Sequence, residues 1–352
     1  MNMKKNITLV LTAFVFTIKL SFAGATEDLF TALKASKDKD ALAAIAAGAD
    51  VKFVDPSWGT ALYLSSIDAG PEVVKALIDA KSDLNWAHPA NGYTALIGAA
   101  HWGNTEAIRL LLAAGADVKI HDKFGRTILS EAVTCGKLEV VKLLVEGGAD
   151  PKEIYKFVGQ EQYALMALIG AYPPAEKVKN WAEIREKMNA TGFTFSEAFI
   201  NQKESDFSPL GDIAAYLLSK GADPNFKNGG WGCILNQSIQ FKKPDIAKAL
   251  VEAKADLTIT MGIKGGKVSG FKATPLMLAT LAGYAELVEL MCKSGANVNE
   301  VAKERASDVG ADPNAKYYHV WKKNNTALSL AIDNNQTEVA TILKKYGGKE
   351  PK

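Results

Sequence analysis

The chain has 352 residues, more than one ordinary globular core, and a formal net charge of +2 from 41 Lys and Arg against 39 Asp and Glu. This near-neutral balance gives no electrostatic reason to expect nucleic acid as a partner. Its three cysteines, Cys135, Cys233 and Cys292, are too few and too widely separated for a disulfide framework. The length instead directs the analysis to internal repeats.

The first 23 residues have the three parts of a secretory signal peptide. Lys4 and Lys5 form a basic start, residues 7–18 are apolar, and Ala23 ends a small-residue cleavage site. The apolar run is shorter than the about 20 residues that a membrane-spanning helix needs, and an uncleaved signal anchor is the alternative. We therefore expect cleavage after Ala23 and a periplasmic or secreted protein with no membrane contact afterwards. A eukaryotic secreted or lumenal protein stays open as a source.

Two short patterns then recur along residues 24–352 at a nearly fixed period. A Gly-Ala-Asp pattern and its degenerate copies place Asp50, Asp83, Asp117 and Asp150 at successive spacings of 33, 34 and 33 residues. Further copies end at Asp223, Asp256 and Asn297. Upstream of many copies lies a Thr-x-Leu pattern, which begins at Thr60, Thr94, Thr127, Thr274 and Thr326.

These patterns resemble those of the ankyrin-repeat family, whose period is about 33 residues and whose first helix opens on a similar motif. The resemblance covers residues 25–348. It implies an all-α solenoid of about eight helix-turn-helix units, joined by hairpins that we call fingers. The units are expected to end near the following positions: Asp50, Asp83, Asp117, Asp150, Asp223, Asp256, Asn297 and Gly347.

The fourth unit indicates how each repeat folds. Thr127 can cap a first helix by accepting a hydrogen bond from a free backbone N–H, and Gly136 ends that helix. Residues 138–145 form a second helix with an apolar stripe at helical spacing. One pair of helices cannot bury its stripes alone, so neighbouring pairs must stack. Ala132 is small and is expected to face an adjoining repeat.

Three segments depart from the period. Residues 172–209 lengthen the fifth unit, either as an insertion or as part of an extra degenerate repeat that would give nine units. Helices are predicted around this segment at residues 162–171, 175–188, 194–200 and 211–218. Residues 259–272 and 300–324 are predicted to be long finger loops, of which the first is rich in glycine. That loop lacks the Gly-x-x-x-x-Gly-Lys-Ser/Thr pattern of a phosphate-binding loop, so we expect an extended hairpin.

The resemblance implies a concave groove, lined by finger tips and by the exposed ends of the first helices. Aromatic residues and arginine dominate the binding energy of protein interfaces, so we look for them at these positions. His101 and Trp102 occupy helix-end positions that face such a groove. Trp58 and Trp231 either contact a partner or pack against neighbouring fingers. The predicted partner-binding residues are Tyr93, His101, Trp102, Lys123, Phe124, Arg126, Gln240, Phe241, Phe271 and Lys322.

No pattern for catalysis or metal binding accompanies the repeats. The four histidines lack the spacing of a metal site, and no Gly-x-Ser-x-Gly motif is present. Acidic residues recur at the start of each second helix, where the helix dipole favours them. We expect a monomeric, non-enzymatic scaffold for an unidentified protein partner, without a cofactor or metal. The alternatives are an enzyme or enzyme-accessory protein with its site in residues 172–209 or 300–324, and a secreted effector that binds a host protein.

Overall fold

The computed structural model describes residues 24–157, 159–171, 183, 186–188, 190, 193–197, 201–228, 232–262, 271–304 and 325–351. The chain forms two compact units. The first unit comprises residues 1–150 and 172–208, and the second comprises residues 151–171 and 209–352. The predicted signal peptide lies outside the described residues.

Over residues 24–150, the first unit forms four helix pairs. Its helices are α1 (24–34), α2 (Asp38–Ala46), α3 (Ala61–Asp68), α4 (Pro71–Asp79), α5 (Ala95–Trp102), α6 (Thr105–Ala113), α7 (Ile128–Cys135) and α8 (Leu138–Glu146). First helices contact first helices, α3 with α5 and α5 with α7, and the second helices α2, α4, α6 and α8 contact each other in the same order. A short antiparallel finger, β1 (Val54–Asp55) and β2 (Gly59–Thr60), precedes α3.

The Thr-x-Leu pattern explains why the first helices of this unit begin where they do. The hydroxyl oxygens of Thr60, Thr94 and Thr127 each accept a hydrogen bond from the backbone N–H three residues ahead, at 3.1 to 3.3 Å. The Leu of each motif is at most 1 % exposed, so the same three-residue pattern also supplies core. Gly103 and Gly136 end α5 and α7 in the left-handed conformation that favours glycine.

The second unit repeats this architecture with more irregular fingers. Its helices are α9 (Ala164–Ala167), α10 (Leu210–Ser219), α11 (Ile234–Gln240), α12 (Pro244–Glu252), α13 (Pro275–Ala282), α14 (Ala285–Lys293), α15 (Ala327–Asp333) and α16 (Thr337–Lys345). Its strands are β3 (Tyr155–Phe157), β4 (Gln160–Gln162), β5 (Lys227–Asn228), β6 (Gly232–Cys233), β7 (Met261–Gly262), β8 (Phe271–Ala273) and β9 (Lys303–Glu304). β3 pairs with β4 and β5 with β6, whereas β8 lies between β7 and β9 in one small sheet.

The irregular fifth repeat differs from two of the predicted helices. The helix predicted at residues 162–171 is shortened to α9 and a 3-10 turn at Leu168–Gly170. Tyr163 stands where five of the repeats have the capping Thr, and its hydroxyl instead donates to the carbonyl oxygen of Asp223. The helix predicted at 194–200 is wrong at its start, because residues 193–196 are not helical. In contrast, residues 186–188 are helical as predicted.

The predicted acidic residues open the second helices of the repeats. Each lies in the first turn of its helix: Glu72, Glu106, Glu139, Asp212, Asp245, Glu286 and Glu338. At that end a carboxylate is stabilised by the positive end of the helix dipole. Among the described helices, none combines the length and apolar character needed to cross a bilayer.

Candidate partner-binding surfaces

The finger of the fourth repeat presents an aromatic ring to solvent on a well-anchored turn. Phe124 is 56 % exposed. Behind it, Asp122 is buried, and its carboxylate accepts hydrogen bonds from the backbone N–H groups of Phe124 and Arg126 at 2.9 and 2.8 Å. The exposed Lys123 joins this finger to the previous one, because its backbone N–H donates to the carbonyl oxygen of Asn91 at 2.9 Å. The ring of Phe124 therefore projects from a turn whose backbone is held on both sides.

Arg126 lies beside that ring and is itself held in place. Its guanidinium carbon is 5.6 Å from the centre of the Phe124 ring, within the range of a cation–π contact. Its Nε donates to Asp122 at 2.7 Å, and another guanidinium nitrogen lies 2.6 Å from a carboxylate oxygen of Glu131. Since the side chain is still 27 % exposed, a partner can reach a guanidinium that is already oriented.

Glu131 is the buried centre of this arrangement, at only 2 % exposure of its side chain. One carboxylate oxygen accepts a hydrogen bond from the Tyr93 hydroxyl at 2.6 Å and lies 2.9 Å from Nδ1 of His101. Burial by itself would raise the pKa of Glu131, but the hydrogen bonds from His101 and Tyr93 and the charge of Arg126 outweigh it and hold the pKa below its ordinary value. Glu131 is thus ionised and connects α7, α5 and the finger.

Tyr93 and His101 have an internal role that the sequence did not predict. Tyr93 is 7 % exposed, so its ring lies inside the repeat and not on an open groove. His101 is half-buried against Tyr93, at 5.7 Å between ring centres. Tyr93 and His101 belong to the third repeat and Glu131 to the fourth, so no local sequence pattern predicts their contact. Tyr93 contacts Arg126 directly, because a guanidinium nitrogen donates to its hydroxyl oxygen at 3.2 Å, whereas His101 contacts Glu131.

Trp102 is partly covered by another part of the chain. Its ring lies 5.5 Å from Phe195, and the ring of Trp58 stacks on Phe193 at 5.9 Å. Phe193 and Phe195 are 1 % and 3 % exposed. We call residues 193–197 the strap. Because Trp58 belongs to a finger and Trp102 ends a first helix, the strap occupies the surface that was predicted to bind a partner.

Polar contacts fix the strap along its length. The backbone N–H of Thr194 donates to the carbonyl oxygen of Lys34 at 2.8 Å, and the Ser36 hydroxyl donates to the carbonyl oxygen of Thr194 at 2.6 Å. Ser196 donates to the carboxylate of Asp68 from its backbone N–H and from its hydroxyl, the latter at 2.8 Å. Burial raises the pKa of Asp68, while the two hydrogen bonds from Ser196 oppose that rise.

The second unit has a separate exposed ring. Phe241 follows the end of α11 and is 48 % exposed, and the adjacent Gln240 is exposed as well. Both lie on the surface, as predicted. For Phe271 the structure describes the backbone alone, within β8. Lys322 and Trp231 lie outside the described residues.

Two further kinds of reactive group in the described residues are potential metal ligands and thiols. Within them, no group of three or more His, Cys, Asp and Glu side chains is placed to hold a metal ion. All three cysteines are buried. Burial raises the pKa of Cys233, and it raises that of Cys292 to about 11, so these two thiols are poor nucleophiles at neutral pH.

Comparison with known proteins confirms the repeats. Residues 29–122 and 62–155 match a family model described as ankyrin repeats in three copies, and residues 272–303 match a single ankyrin-repeat model. These segments lie in both units, and the fold is an ankyrin-repeat fold.

Two known proteins illustrate the similarity. A rat protein named ankyrin repeat and SAM domain-containing protein 6 is 33 % identical over 73 residues, which are 21 % of this chain. The match spans only 8 % of the length of that relative. A crystal structure of the human ASB11 ankyrin repeat domain is 19 % identical, with a TM-score of 0.49 over 82 % of this chain and 99 % of that domain.

Proposed function

We propose that this chain is a non-enzymatic scaffold that acts after export and holds a protein partner through its fingers. Ankyrin repeats generally mediate contacts between proteins, and the chain carries them in both units. The compartment is the periplasm or the outside of the cell, on the strength of the signal-peptide pattern in residues 1–23.

The observation that carries this proposal is the pair of Phe124 and Arg126 on the fourth finger. The ring of Phe124 is 56 % exposed and lies beside the guanidinium of Arg126. Aromatic and arginine side chains are the commonest hot spots of protein interfaces. Because Asp122 and Glu131 already hold Arg126, little conformational entropy is lost when a partner binds there.

Phe241 and Gln240 give the second unit a candidate contact of its own. The ring of Phe241 is nearly as exposed as that of Phe124. We propose that each unit contributes one such aromatic anchor. In contrast, the ring of Trp102 is partly covered by Phe195, so we assign it no direct role while the strap is in place.

The test is capture of the partner from the compartment in which the protein resides. The tagged full chain is recovered with its bound proteins, and the same is done for Phe124→Ala and Phe241→Ala. Phe53→Ala is the matched control, since Phe53 is 44 % exposed at the start of the second repeat and lies outside both proposed anchors. We expect at least one protein to be enriched by the parent and by Phe53→Ala, and depleted by the other two variants. Equal recovery by all four proteins would refute the proposed anchors, and enrichment of none by the parent would refute the scaffold.

A further inference from the structure

The strap occupies its surface in the way that a bound peptide would. Residues 193–196 have no helical or strand structure of their own, and they meet three successive repeats. The contacts are with Lys34 and Ser36 in the first repeat, with Trp58 and Asp68 in the second, and with Trp102 in the third. We call the surface formed by these five residues the groove.

Aromatic contacts supply the apolar part of the binding. Phe193 and Phe195 pack edge to face on each other at 4.9 Å, and each also contacts one tryptophan of the groove. Both rings are almost completely removed from water. Since the two phenylalanines are separated by one residue, the groove selects aromatic side chains at alternate positions of a non-helical segment.

Polar contacts fix the position of the strap along the groove. Two of the hydrogen bonds to Thr194 involve its backbone N–H and C=O, which any residue at that position can provide. Asp68 favours a serine two residues after Thr194, because its carboxylate accepts hydrogen bonds from both the backbone N–H and the hydroxyl of Ser196. Main-chain bonds that give affinity, combined with pockets for alternate side chains, are typical of extended-peptide recognition.

We propose that this groove is a binding site for a protein segment with the arrangement Phe-x-Phe-Ser, and that the strap is its resident occupant. A partner that offers the same arrangement must displace the strap, so the chain regulates access to its own groove. This inference rests on the proposed function only in taking the partner to be a protein.

The strap has the advantage of being tethered. A short tether gives an effective concentration of about 1 mM. If a free peptide binds the emptied groove with a dissociation constant of about 10 µM, the tethered strap weakens its apparent binding about a hundredfold. The parent protein should therefore bind such a peptide only weakly, whereas a variant with a defective strap should bind it well.

The experiment tests whether a separate peptide binds in place of the two phenylalanine rings once they are removed from the strap. The probe is a fluorescein-labelled synthetic peptide with the sequence of residues 190–197, and its binding to the full-length protein is followed by fluorescence anisotropy. The opened variant is Phe193→Ala with Phe195→Ala, in the full chain. The matched control is Tyr163→Ala, which removes a ring that is 1 % exposed and contacts Phe226 instead of the strap or the five groove residues.

We expect the opened variant to bind the peptide at least about tenfold more tightly than the parent or Tyr163→Ala, and to reject a peptide in which both Phe are replaced by Ala. Equal binding by all proteins would place the peptide elsewhere and overturn the proposal. So would an absence of binding to an opened variant that retains the parent's helical circular dichroism. If that variant does not fold, Phe195→Leu is measured against the same predictions. The probe does not involve the natural partner, so failure here leaves the finger anchors of the proposed function untouched.

Discussion

At the scale of the residue, the buried carboxylate of Glu131 ties together groups from two repeats. Tyr93, His101 and Arg126 all direct hydrogen-bonding atoms at it. A buried charge is tolerable only when it is paired in this way. Its surroundings hold the pKa of Glu131 below its ordinary value of 4.5. A depressed pKa means that Glu131 stabilises the fold above about pH 4.5 and that this stabilisation is lost as the pH falls through the folded-state pKa.

The first prediction follows from the lowered pKa of Glu131. Glu131→Gln should lower the free energy of unfolding by about 2 kcal/mol at pH 7, because it weakens hydrogen bonds to a charged acceptor. The difference between parent and variant should shrink as the pH falls from 4.5 through the lower folded-state pKa, at which native Glu131 loses its charge. Urea unfolding across this pH range measures it. A difference that stays constant with pH would show that the charge of Glu131 does not stabilise the fold.

A second prediction concerns packing between first helices. Ala132 is fully buried on α7, which contacts α5. Ala132→Asp should lower the free energy of unfolding by at least about 3 kcal/mol, since it buries an unpaired charge. Ala113→Asp is the matched control, because Ala113 is exposed on α6 and should tolerate the change. Equal thermal midpoints for the two variants would contradict the placement of Ala132 on the buried face of α7.

At the scale of the element, the regular repeats were predictable and the strap was not. A threonine cap, a leucine at the third position of the motif and a terminal glycine are local signals. The first helices α3, α5 and α7 begin at the threonine, and α5 and α7 end at the glycine. The strap depends on contacts between residues as far apart as Asp68 and Ser196, separated by 128 positions in the sequence. Phe193 and Phe195 could fit a helical or an extended segment, and only the two tryptophans of a distant surface decide between them.

The strap changes what is expected of Trp102. If the ring of Trp102 were fully exposed, its removal should leave the free energy of unfolding unchanged. Because the ring contacts Phe195, its removal should lower that free energy. Trp102→Ala should lower the free energy of unfolding by roughly 1.5 kcal/mol, the upper end for an aromatic pair. Phe241→Ala, which removes an exposed ring, should change it by no more than about 0.5 kcal/mol. Chemical unfolding of the two variants compares these values, and an unchanged Trp102→Ala would mean that the strap adds nothing to stability.

At the scale of the whole molecule, residues 1–23 are proposed to direct export and then to be removed. The mature protein should begin at Gly24. The intact mass of the protein recovered from the exported fraction tests this directly. Retention of Met1 on a membrane-bound form would contradict cleavage and favour the signal anchor.

The central claim is that a protein partner is held by exposed rings on the fingers and helix ends. Its most direct test is the dissociation constant of the captured partner for the parent, for Phe124→Ala and for Phe241→Ala, with thermal midpoints measured on the same samples. Loss of a central aromatic anchor should weaken binding by about 2 kcal/mol or more, a factor of about thirty, while the midpoints stay at the parent value. Dissociation constants that match the parent in both variants would contradict the claim.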